Sequence, residues 1–106
     1  GYLHANCGNC HNDKQIFPSG FHLRLAVGDK LPSDAGAYKT AVNVATAHFM
    51  KAPFTKRVVP GKPEESAVVF RMKARGDADQ MPPIGTKQSH PEGIQAVSDW
   101  IAALPP

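Results

Sequence analysis

No stretch of the chain constrains it more than Cys7-Gly8-Asn9-Cys10-His11. Both cysteines of the 106 residues fall there, so none remains for a disulfide elsewhere. On a helix, positions i and i+3 share a face, so both thiols would point the same way. A redox dithiol with this spacing sits at a strand-to-helix turn inside a βαβ pattern, and no such pattern surrounds it. Half a zinc site would need two of His4, His22, His48 or His90 to complete a tetrahedron, and no second pair stands at the usual zinc spacing. A Cys7–Cys10 disulfide would close a very small, strained loop. The reading that best fits the context is covalent attachment of a haem. Each thiol adds across one of the haem's two vinyl groups, and His11, directly behind, is carried under the ring. There a neutral imidazole nitrogen can ligate the iron.

The length suits one domain, residues 1–106, with a core that buries only a modest share of its surface. Aromatic content is low, at 8%, and a flat apolar cofactor would supply packing surface that the side chains lack. Ten prolines and nine glycines point to long irregular connections. The formal charge of +3 is weak and its basic residues form no run, which argues against nucleic acid as a partner. No apolar stretch reaches membrane-spanning length. Gly1 lies only six residues before Cys7 and no signal peptide precedes the motif, so the chain reads as a mature protein or an excised domain.

The expected fold is mainly α, with about three main helices and long irregular loops. Residues 1–12 read as a first helix, with Leu3, Cys7 and Cys10 at i, i+4 and i+7 on one face. Asn12 and Asp13 favour its termination, since their side chains bond nearby backbone. Residues 14–60 are irregular. Within them 21–27 alternates apolar and polar and is a short strand candidate ended by Gly28-Asp29. Residues 41–48 are ambiguous, and Met50, Phe54, Val58 and Val59 are expected in the core or at a cofactor edge. A structureless stretch this long is uncommon in a compact domain unless it has a task, such as wrapping a haem edge.

Pro60-Gly61-Lys62-Pro63 punctuates the chain before a second helix over 63–75. Pro63 suits its first position, Glu64 and Glu65 its positive end, and Arg71, Lys73 and Arg75 its negative end. A loop over 79–85 follows, stiffened by Pro82 and Pro83. The last helix starts either at a Ser89–Glu92 capping box or with Pro91 in its first position. Ile94, Val97, Ile101 and Leu104 recur at helical spacing, with Trp100 beside them, up to Pro105-Pro106.

Three methionines compete for the second axial position, where a thioether stabilises ferrous iron and raises the reduction potential. Met72 lies in an apolar helical stripe and reads as core packing. Met50 has no feature favouring ligation. Met81 sits in the proline-stiffened loop, which can hold a sulfur against iron at little ordering cost.

The Cys7–His11 motif near the start, Met81-Pro82-Pro83 about seventy residues on, and an apolar closing helix with Trp100-Ile101 together resemble a class I c-type cytochrome. Residues 2–6, Arg71-Met72, Met81-Pro82-Pro83-Ile84-Gly85 and Pro91-Glu92-Gly93-Ile94 are similar to single-haem modules of larger secreted or periplasmic bacterial proteins. Some of those modules are linked to carbohydrate-active or dehydrogenase modules. The resemblance implies helices wrapped around one covalently attached haem c, with first and last helices crossing through Leu3 and Trp100 or Ile101. It implies His11/Met81 ligation, electron transfer without catalysis, and an exposed haem edge beside Cys7 and Cys10 that docks transiently with a redox partner. It implies a monomeric domain in the periplasm or outside the cell. It makes Pro18 the residue whose carbonyl receives the other imidazole proton of His11. Arg57, Arg75 and Trp100 are the candidate partners of the haem propionates. The competing expectation is a haem enzyme or sensor with an open or displaceable sixth ligand, for which His22, His48 or His90 would be distal groups.

Overall fold

The computed structural model describes residues 1–14 and 19–106. Four α-helices appear among them: α1 (Tyr2–Cys7), α2 (Gly36–Ala41), α3 (Ala67–Lys73) and α4 (Pro91–Ala103). Short 3-10 turns span Pro32–Asp34 and Pro63–Glu65. No strand forms among the described residues. Isolated bridges pair Val42 with Val58, Ala45 with Lys56, and Lys51 with Phe54, so the 42–58 loop folds back on itself. The result is a small, mainly helical globule with a radius of gyration of 12.9 Å, close to the roughly 13 Å of a compact domain this size.

α4 is the longest helix and packs its apolar face on the core. Pro91 opens it, and the residue before it, His90, makes no side-chain cap bond, so the Ser89–Glu92 capping box is not used. The apolar face then repeats as the spacing predicts. Val97 and Ile101 join Ala41, Val58, Val69 and Met72 in one buried cluster. Ile101 is wholly buried and Val58 nearly so; each such side chain contributes roughly 1.5–3 kcal/mol through removal from water. Met72 packs in this cluster, as its helical stripe predicts.

At six residues, α1 is too short to hold itself together in water. It is held by packing on α4. The Tyr2 ring and hydroxyl lie directly on Gly93, where any Cβ would collide with them. The hydroxyl also meets His90 Nδ1 at 3.0 Å. Leu3 and Trp100 pack on the buried cluster from their two helices. Gly93→Val is therefore expected to drive Tyr2 off α4. An overpacked core position costs about 1–3 kcal/mol, which corresponds to a melting-temperature loss of roughly 10 °C for a domain of this size. Thermal unfolding followed by circular dichroism checks it; an unchanged melting temperature would show that the crossing tolerates a side chain there.

Four expectations are corrected. The 63–75 helix is broken at Ser66, which is fully buried. Its Oγ accepts the Val59 N–H and donates to the Lys62 carbonyl, both at 2.9 Å. That pair of bonds pins an extended residue between the 3-10 turn and α3, and α3 stops at Lys73 with Ala74 extended. Residues 21–27 are not a strand. Their backbone bonds go to scattered partners instead of a ladder: Leu23 N–H to His11 O, His22 N–H to Thr40 Oγ1, and Leu25 N–H to His4 Nδ1. The first helix ends at Cys7 and not near 12, giving way to turns. Met50, finally, is 86% exposed and belongs to no core. Phe54 instead packs with the tilted rings of Phe70 and Phe49 in an aromatic group, with ring centroids 4.5 Å and 6.4 Å away.

Candidate functional site

Where α1 ends, the chain turns without leaving its helical sense. Cys10 N–H and His11 N–H both reach the Cys7 carbonyl, at 3.2 and 2.9 Å. Buried Asn12 closes the turn. Its Nδ2 donates to Gly8 O at 2.8 Å and Asn9 O at 3.0 Å, and its Oδ1 accepts the Lys14 N–H at 2.9 Å. This is the backbone-bonding role expected of Asn12. The turn needs a glycine at position 8, because a Cβ there would press the His4 carbonyl at 2.7 Å. The other side of the turn is fixed by Leu23 N–H, 2.8 Å from His11 O.

Cys7, Cys10 and His11 open onto a cavity of about 400 Å³, and so does Met81 from the far end of the sequence. That volume falls in the range of roughly 300–1,000 Å³ typical of small-molecule and cofactor sites. Most of the wall is apolar, with Phe21, Leu23, Phe49, Val68 and Ile94 among its members. Arg57, Arg71 and Arg75 also line it, while no aspartate or glutamate does among the described residues. None of the three arginines is ion-paired with a carboxylate among those residues.

Each guanidinium is held in place. Arg57 is only 8% exposed. It donates to the carbonyls of Gly20 at 2.9 Å, Thr40 at 2.7 Å and Ser19. Its charge lies 5.0 Å from the Phe21 ring centroid, and that ring stands 5.1 Å from the His11 imidazole. Arg71 donates from Nε to Asp79 O at 3.0 Å and lies over Phe49. Arg75 bonds its neighbour's carbonyl, while its Nε is buried without a partner among the described residues. Burial pulls Arg57 and Arg71 below the ordinary guanidinium pKa, and the nearby Asp79 charge opposes that shift at Arg71.

The titrating groups of the motif are biased too. Burial lowers the His11 pKa, the Arg71 charge lowers it further, and the Phe21 backbone opposes both. The imidazole is thus held neutral, the form that ligates metals. Its Nδ1 is buried with no hydrogen-bond partner among the described residues; Pro18, its expected partner, lies outside those residues. Burial raises the Cys7 thiol pKa, and Cys10 adds to the rise. A redox dithiol needs the opposite, a thiolate stabilised at a helix N-terminus, whereas Cys7 is the last residue of α1. Among the described residues no three histidine, cysteine, aspartate or glutamate side chains converge as a metal-holding group. The zinc arrangement therefore has no second half.

Met81 is set by α3. Its N–H donates to Arg71 O at 3.0 Å, and Lys51 Nζ ties the loop through Asp79 Oδ2 at 2.5 Å. Met50 does not line the cavity, and Met72 reaches its wall while packed in the core. Of the three histidines weighed as distal groups, His48 and His90 line the cavity and His22 does not. Trp100 is also absent from this wall; it lines a separate groove with Leu3, Leu25 and Tyr38. The sequence marked Arg71 at the end of a helix and in the Arg71-Met72 pair, without a place at the cavity, and it did not single out Gln80. No family model matches the chain, and no curated protein or solved structure does either.

Proposed function

We propose that this chain holds one haem covalently through Cys7 and Cys10, with His11 and Met81 as axial ligands, and carries single electrons between redox partners. The observation that carries the reading is the wall of the cavity. It combines two thiols at vinyl-addition spacing, a neutral imidazole, a thioether, apolar side chains and three guanidinium groups, with no aspartate or glutamate lining it among the described residues. That donor set fits a flat apolar macrocycle bearing a metal and two carboxylates, and few other ligands use every part of it.

Haem, when bound, supplies a one-electron ferric/ferrous couple. The protein's own contribution is positional and electrostatic. The motif turn holds both thiols and the imidazole in one short segment. The Met81 loop, anchored to α3, keeps its sulfur at the same place in both oxidation states. Arg57, Arg71 and Arg75 would offer counter-charges to the carboxylates. Their positive field also favours the reduced, less positive iron. In its Cys7–His11 motif, Met81-Pro82-Pro83 and closing helix the chain resembles a class I c-type cytochrome, and that resemblance supports a periplasmic or extracellular site of action and brief docking with a partner. Among the described residues no helix is long and apolar enough to cross a membrane.

A reductive titration of the purified holo-protein, read by its visible absorption, is expected to fit one reversible one-electron couple at positive potential. A protein with no redox-active chromophore would overturn the proposal. The second reading, a haem enzyme or sensor, draws on His48 and His90 at the cavity wall. It requires Met81 to leave the iron, and the anchoring of its loop weighs against that.

A further inference from the structure

We infer that Gln80 is the positioning residue that holds Met81 in ligating geometry, an inference that rests on the proposed haem site. Gln80 is 8% exposed, an uncommon degree of burial for a carboxamide outside regular secondary structure. Its two polar ends are spent on three separate parts of the loop. Oε1 accepts the N–H of Gly76, at 3.0 Å. Nε2 donates to Pro82 O at 3.0 Å and to Thr86 O at 2.9 Å. One side chain thus bonds the turn after α3, the residue following Met81, and the residue where the loop leaves Gly85.

The geometry selects this residue type. The site needs one acceptor and two donors on a planar head, which glutamine supplies. Glutamate would accept from Gly76 but set its other oxygen against two carbonyl oxygens. Leucine would fill the space and leave the Gly76 N–H and two carbonyls without this partner. Prolines 82 and 83 stiffen the loop locally, yet neither donates a hydrogen bond from its backbone nitrogen. Among the described residues, the hydrogen bonds that join this loop directly to α3 are the Met81 N–H to Arg71 O and the Arg71 Nε to Asp79 O. Both lie on the entering side of Met81. Among those residues it is Gln80 that ties the leaving side, through Pro82 and Thr86, to the turn after α3. The turn at Gly76 also matters to the brace: its φ of +81° is open to glycine and points the amide at Gln80.

The test uses holo-protein with Gln80→Leu and Gln80→Glu. Both variants are expected to keep the haem attached and the helical circular dichroism unchanged. The ferric sulfur-to-iron absorption band should fall at least tenfold, carbon monoxide should bind the ferrous form, and the ferric form should be favoured about tenfold, equivalent to about 59 mV for one electron. Amide exchange at Gly76, read by NMR in the ferrous protein, should accelerate at least tenfold in Gln80→Leu. Variants that lose thermal stability but keep the band and the potential would overturn the positioning role, leaving Gln80 a stabilising residue alone. Unchanged Gly76 exchange would overturn the brace itself. A wild-type protein that lacks the band would instead overturn Met81 ligation, and Gly76 exchange would still report separately on whether the brace exists.

Discussion

Met81→Ala is expected to leave the haem attached, open the iron to carbon monoxide, and lower the midpoint potential by on the order of 0.1 V, a modest part of the ~0.8 V range that axial ligands span. The physical reason is the preference of a thioether for ferrous iron; removing it withdraws that preference and leaves a vacant or water-filled position. Met72 reaches the cavity wall but is packed in the buried cluster with Val69 and Val97, and Met50 is 86% exposed outside that wall. The change should cost little folding stability, because the loop's anchors are the Met81 backbone, Arg71 and Gln80, none of which the substitution removes. A variant with the wild-type potential and spectrum would remove Met81 from the site.

The second large effect belongs to the thiols. Replacing Cys7 and Cys10 together by alanine should abolish covalent retention, so that acid–acetone treatment strips all haem from the polypeptide. Each single replacement should leave one thioether and a haem that resists extraction. The double variant would still present His11, Met81 and the three arginines to the cavity, so it should bind haem reversibly. Haem remaining with the double variant after extraction would contradict attachment at this motif.

Much of the site was legible in the sequence because its chemistry is local. The CxxCH spacing depends on four consecutive steps of backbone, and the structure keeps those steps in one turn closed by Asn12. The apolar period of α4 and the loop at Met81-Pro82 were readable for the same reason. The failures involve partners distant in sequence. Residues 21–27 have a strand's alternation, but their N–H groups are taken by His11, Thr40 and His4, so no ladder forms. α2 opens on Gly36 with no side-chain cap and no long apolar stripe, which left it without a sequence signal. Ser66 looked like an ordinary helical residue, and only its bonds to Val59 and Lys62 make it a break. Trp100, a propionate candidate in the sequence, sits on α4 and lines the groove beside Leu3. Gln80 carried no signal, since its value lies in three backbone groups that come together only in the fold.

Absorption spectra of the purified holo-protein, ferric, ferrous, and ferrous with carbon monoxide, test the central claim most directly. His11/Met81 ligation predicts sharp low-spin ferrous bands, a weak ferric sulfur-to-iron band, and indifference to carbon monoxide. A high-spin ferric spectrum with rapid carbon monoxide binding would contradict it, and would shift the account to an open haem site with His48 and His90 at its wall.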